Sequence, residues 1–136
     1  MQKYFAAYAA AALLMVVLDV IWIGFIAKPL YQEGIGHLMA SQPRLDAALL
    51  FYAVYALGLV MFVIAPQGHS VDWQSTLVRG ALFGLVAYAT YDLSNLATLR
   101  DWPVRVAVVD MAWGAIASCS AAAAGKASWD YFAAGA

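Results

Sequence analysis

The sequence predicts an all-α fold: a four-helix transmembrane bundle with both termini on the same side and an amphipathic interfacial loop between helices one and two. Two observations carry this. Hydrophobic residues make up 65% of the 136 positions and charged residues only 11%, where a soluble domain carries about 25% charge. Four separate stretches also reach about 20 mostly apolar residues, the length that crosses roughly 30 Å of hydrocarbon. A mean hydropathy of +0.77 excludes a disordered chain, a nucleic-acid-binding domain and an ordinary soluble enzyme. The formal net charge of −1 points to no polyanionic partner. A single cysteine excludes a disulfide framework or a cysteine-rich zinc site.

The chain reads as one integral-membrane domain, 1–136, with spans at about 4–27, 45–65, 77–99 and 104–124. The first span contains one charge, Asp19. It is too long for a signal peptide, and no small-residue cleavage site follows it. The second has Asp46 at its start and Pro66 closing it. The third carries Arg79 in its first turn and Asp92 inside. The fourth carries Arg105 near its start and Asp110 inside.

The connectors differ in kind. In the first, Leu30, Tyr31, Ile35, Leu38 and Met39 recur at helical spacing, the pattern of a short segment lying in the interface. The second is polar and turn-like, with His69 and Asp72 as solvated loop residues. The third, Arg100-Asp101-Trp102-Pro103, is short enough to make spans three and four antiparallel neighbours. Trp73, Trp102 and Trp129 mark span ends, where indole favours the headgroup level. An even number of spans returns both termini to one side. Basic residues divide nearly evenly, Lys3, Arg79 and Lys126 against Lys28, Arg44, Arg100 and Arg105, which leaves orientation open.

Three intramembrane carboxylates are the chemical signal. Each costs at least about 2.5 kcal/mol at mid-membrane on insertion scales. Counted from the basic ends, Asp19, Asp92 and Asp110 lie roughly 13, 12 and 8 Å deep, and Tyr52 about 12 Å, at 1.5 Å per residue. All four spans thus bring a polar group to one layer. Spans one and four share a D-x-x-W spacing, Asp19 with Trp22 and Asp110 with Trp113. Tyr88, Tyr91, Asp92 and Asn95 fall on one face of span three, as Tyr52 and Tyr55 do on span two. Gly80, Gly84, Gly114 and Ser118 continue these stripes with small residues that let helices approach closely. The expected pocket therefore comprises Asp19, Trp22, Tyr52, Tyr55, Tyr88, Tyr91, Asp92, Asn95, Asp110 and Trp113, binding substrate or exchanging protons. Interhelical hydrogen bonding without a ligand is the plain alternative.

His37 lies on the same side as this layer, where it caps the pocket or is a solvated loop residue. No metal-ligand spacing is present, so neither a metal nor a cofactor is expected. Cys119, in a Ser-Cys-Ser run, reads as packing. Phosphate loops, Ser-His-Asp sets and dinucleotide fingerprints are absent.

Four segments, Leu18-Asp-Val-Ile-Trp-Ile-Gly24, Phe51-Tyr-Ala-Val-Tyr55, Tyr88-Ala-Thr-Tyr-Asp-Leu-Ser-Asn-Leu-Ala-Thr98 and Asp110-Met-Ala-Trp-Gly114, carry a resemblance. By these the chain resembles an uncharacterised family of small bacterial four-span membrane proteins, a domain of unknown function. The resemblance implies the four-helix fold, a bacterial inner-membrane location and company with lipid-modifying enzymes, which makes lipid a candidate ligand. It supplies no activity. The size and the acidic residue in span one also parallel small multidrug exporters, a likeness of architecture alone.

Three function classes follow. The first is proton-linked binding or transport of a small amphipathic substrate. The second is an embedded enzyme acting on a lipid or isoprenoid, with one Asp as general acid and another as base. The third is a structural accessory subunit of a membrane complex. The first ranks ahead because no nucleophile or cofactor ligand stands out. Expected partners are membrane lipids, an amphipathic or lipid-like ligand and a homo-oligomeric copy, with no nucleic acid.

Overall fold

The computed structural model describes residues 1–68 and 72–134, and among them every regular element is helical. Helix α1, Gln2–Ile21, runs on through a π turn at Trp22–Ile26. Helix α2 is Lys28–Ile35. Helix α3, Leu45–Leu59, continues through a π turn at Val60–Ile64 and a 3-10 turn at Ala65–Gln67. Helix α4 is Trp73–Thr98 and α5 is Val104–Ala134.

Three continuous helices are long and apolar enough to cross a membrane: Gln2–Ile26, Leu45–Gln67 and Val104–Ala134, with mean hydropathies of 2.5, 2.4 and 1.5. Helix α4, with 26 residues, has the length without the apolarity. Its polarity is partly neutralised locally. The hydroxyls of Thr90, Ser94 and Thr98 donate to the carbonyls of Val86, Thr90 and Ser94, one turn back, which satisfies them within the helix.

Helix α5 packs along both α4 and α1, and α3 packs on α1. Small residues set these contacts. Ala7, Ala11, Ala117 and Ala121 are completely buried between α1 and α5. On α4, a Cβ at Gly84 would strike the Gly114 carbonyl and the Ser118 side chain, and one at Gly80 would press on Ala122. The α4 and α5 backbones are close enough that only glycine fits at position 84.

Several end regions differ from expectation. Helix α5 runs on past the expected span of 104–124 to Ala134, and in that extension Lys126 is buried with its ammonium 3.1 Å from Asp130 and 5.4 Å from the centre of the Trp73 ring. Lys126 is therefore not a solvated interface charge. Trp102 and Trp129 are also buried. Trp129 meets Tyr4 edge-on at 4.6 Å and lies over Gly68, and Trp102 meets Tyr91 at 5.6 Å. Asp72 has a local role as well, accepting bonds from the Gln74 amide and the Ser75 hydroxyl at the start of α4, an N-cap. His69 lies outside the described residues. The first connector does form a helix, α2, and its Leu30, Tyr31 and Ile35 pack on Trp102, Val106 and Ala107 of the bundle.

Candidate functional site

The three carboxylates arise from different local settings. Asp19 is in the last turn of α1, Asp110 is two turns into α5, and both are buried. Asp92 lies on α4 in the stripe of Gly80 and Gly84, which faces α5. That phase makes Asp92 a neighbour of Asp110 and Trp102.

Asp19 accepts two hydrogen bonds. The Tyr52 hydroxyl donates to Oδ2 at 2.7 Å and the Trp113 indole N–H to Oδ1 at 2.9 Å. Asp110 Oδ1 accepts from the Tyr31 hydroxyl at 2.6 Å, and that hydroxyl accepts from the Trp22 indole at 3.0 Å. The two D-x-x-W elements are thus wired across helices rather than within them. The tryptophan of α5 serves the carboxylate of α1, and the tryptophan of α1 reaches the carboxylate of α5 through Tyr31. The two indoles stack between these bonds, 4.4 Å apart and 3° from parallel. Such fixed, polarised chains hold each carboxylate in one orientation. Burial and the Asp110 carboxylate both push the Tyr31 hydroxyl above its usual range, so it stays protonated and remains a donor.

These groups line a cavity of about 520 Å³, within the range that takes small amphipathic molecules. Asp19, Trp22, Tyr52, Tyr55, Tyr88, Tyr91, Asp110 and Trp113 all lie on its wall. Tyr31, Ile35 and Met39 of the first connector, Phe51 of α3 and Trp102 of the third connector join them. Tyr88 is held against Gly114, where any Cβ would collide with its ring. The Tyr55 hydroxyl is 2.6 Å from Ser118 Oγ. Of the wall residues, Phe51 of α3 and Tyr91 of α4 are 42% and 55% exposed, and Ile23 of the π turn after α1 and Met39 of the first connector 48% and 47%.

Three residues expected in the pocket are not on its wall. Asp92 and Asn95 share the helix face of Tyr88 and Tyr91 but lie one turn further along α4, and neither lines the cavity. Asp92 is completely buried off the wall beside Asp110 and the Trp102 indole, and among the described residues its carboxylate oxygens and that indole N–H make no hydrogen bond of regular geometry. His37 is off it as well, since its imidazole pairs with Asp101 at 3.3 Å, linking the first and third connectors in solvent. Tyr31 is the residue that sequence reasoning left out. Its place on the apolar stripe of the first connector marked it as packing, and only the folding back of α2 carries its hydroxyl to Asp110.

Among the described residues, no Lys, Arg or His pairs with Asp19, Asp92 or Asp110. The wall therefore carries carboxylates bonded only by neutral donors. That arrangement can receive a proton or a cationic group, and its aromatic faces add attraction for a cation.

No curated protein and no solved structure matches the chain. Its family is nonetheless clear from a match that covers nearly all of the bundle. Over residues 4–127 it belongs to the family described as "Predicted membrane protein (DUF2177)".

Proposed function

We propose that the chain is a single integral-membrane domain of the bacterial inner membrane, in which α1, α3, α4 and α5 all span and both termini share one side. Helix α4 is long enough to span, and its packing along α5 shields the Asp92 stripe from lipid. The turn at 100–103 makes it antiparallel to α5.

Within that bundle the cavity binds a small amphipathic cation, and binding is linked to protons. The observation behind this reading is an aromatic cavity whose wall holds two carboxylates, Asp19 and Asp110, with neutral hydrogen-bond donors and, among the described residues, no cationic partner. A buried carboxylate in poorly solvated surroundings needs a counter-charge or a proton. A cationic ligand and a proton therefore compete for the same oxygens, and ligand binding releases protons. Transport would follow if the two occupancies favour different openings of the bundle.

The test uses tetraphenylphosphonium as an aromatic, membrane-permeant cation, added to the full chain in lipid nanodiscs. Expected are saturable quenching of tryptophan fluorescence, through the stacked Trp22 and Trp113, and proton release into weakly buffered medium. Asp19→Asn and Asp110→Asn should each weaken binding about tenfold, the equivalent of one lost charge contact. Non-saturable quenching, or binding by both variants as tight as that of wild type, would refute it.

One observation favours a second reading. Phe51 and Tyr91 of the cavity wall are exposed on α3 and α4, where a lipid or isoprenoid would meet them. An enzyme of that class would use one wall carboxylate as acid and the other as base. Conversion of a supplied polyprenyl or phospholipid substrate that Asp19→Asn abolishes would select it.

A further inference from the structure

We infer that a second groove, between the Val60–Ile64 turn and the first half of α4, binds a singly anionic phospholipid. Its phosphodiester sits on Arg79 and one acyl chain lies along the apolar floor. The groove has a volume of about 420 Å³ and is lined by Phe62, Val63, Leu82, Phe83 and Val86, with Arg79 at one end. Arg79, Leu82, Phe83 and Val86 are spaced i, i+3, i+4 and i+7, so they share one face of α4. Phe62 and Val86 are 70% and 65% exposed, which places this floor in contact with acyl chains once α4 spans.

Arg79 is the feature that an apolar lipid-facing surface does not explain. It is exposed, and among the described residues no carboxylate pairs with it. It lies six residues into α4 from Trp73, roughly 9 Å along the axis. Its long side chain can return to headgroup level from there while its methylenes stay on the apolar floor. A guanidinium is always charged, and its planar fork suits the two free oxygens of a phosphodiester. The charge also selects the headgroup. One uncompensated positive charge complements a headgroup of net charge −1. A zwitterionic ethanolamine headgroup brings its own ammonium, which competes for the same phosphate. The groove adjoins the cavity, since Ala87 lines both, and the Phe83 ring, packed on Gly58 and edge-on to Tyr55 at 5.3 Å, stands between them.

The test is native mass spectrometry of the full chain in dodecyl maltoside, titrated with dioleoyl phosphatidylglycerol or dioleoyl phosphatidylethanolamine. Wild type should bind the glycerol lipid about tenfold more tightly, the worth of one charge-assisted phosphate contact. Arg79→Gln should reduce that affinity to the level of the ethanolamine lipid, and Arg79→Lys should lose less. Val86→Trp, which fills the floor and keeps the charge, should weaken both lipids. Equal binding of the glycerol lipid by wild type and Arg79→Gln would overturn the proposal, as would equal binding of the two lipids by wild type. A dimer that Val86→Trp dissociates would place a second copy of the chain in the groove and overturn it too.

Discussion

Replacing Tyr31 with Phe removes one oxygen atom and two hydrogen bonds. The hydroxyl is donor to Asp110 at 2.6 Å and acceptor from Trp22 at 3.0 Å, so its loss leaves a carboxylate oxygen and an indole N–H without those partners. A hydrogen bond to a charged group contributes about 1.5–3 kcal/mol, and an orphaned buried donor costs about 1–3 kcal/mol. The sum, at most about 6 kcal/mol, is an upper bound. Interhelical hydrogen bonds in membrane proteins average only about 0.6 kcal/mol and reach about 1.7 kcal/mol, because water or another group takes over. Tyr31 and Trp22 are only partly buried, whereas Asp110 is 9% exposed, so the indole can be rehydrated more readily than the carboxylate. A loss of about 2 kcal/mol is expected. Tyr52→Phe should cost about 1 kcal/mol, since Asp19 keeps the Trp113 bond. Unfolding by SDS titration in dodecyl maltoside micelles, followed by tryptophan fluorescence, measures both. The reasoning fails if Tyr31→Phe lies within about 0.3 kcal/mol of wild type, the scale at which independent effects blur, or if it costs less than Tyr52→Phe.

Gly84→Ala forces a methyl group into the Gly114 carbonyl and Ser118 and should destabilise by about 1–3 kcal/mol, while Gly24→Ala, with nothing within 4 Å, should leave the unfolding midpoint unchanged. Asp19→Asn keeps both hydrogen bonds, since its carbonyl accepts from Trp113 and its amide donates to a turned Tyr52 hydroxyl. Its midpoint should match wild type even where cation binding is lost, which separates charge from shape. Asp92→Asn removes a buried carboxylate that makes no hydrogen bond of regular geometry among the described residues and should equal or exceed wild type in stability; a loss of more than about 2 kcal/mol would show that the carboxylate is engaged. Reporter fusions at Lys3 and after Ala134 should report the same side of the membrane, and opposite sides would end the four-span reading.

Much of this was legible in the sequence for a simple reason: hydropathy and depth are additive along a helix. Each residue advances the chain by a constant rise, so the apolar spans around Asp19, Tyr52 and Asp110 could be counted out. The Tyr52–Asp19 bond shows that the count aligned two spans correctly. The tertiary structure decided rotation and fold-back, which depend on neighbours. Close contact of Gly80 and Gly84 with α5 sets the phase of α4; Tyr88 and Tyr91 line the cavity, whereas Asp92, one turn beyond Tyr88 on the same stripe, is buried off its wall. The docking of α2 on Trp102 and Val106 carries Tyr31 from an apolar stripe to Asp110. The packing of α1 on α5 makes Trp113 the partner of Asp19, and Tyr31 links Trp22 to Asp110, so each D-x-x-W element reaches the opposite helix. Lys126 shows the same limit: one more basic residue near a span end in sequence, it is buried because Asp130 and Trp73 come together around it. Periodicity states which residues share a face, but only packing states what that face meets.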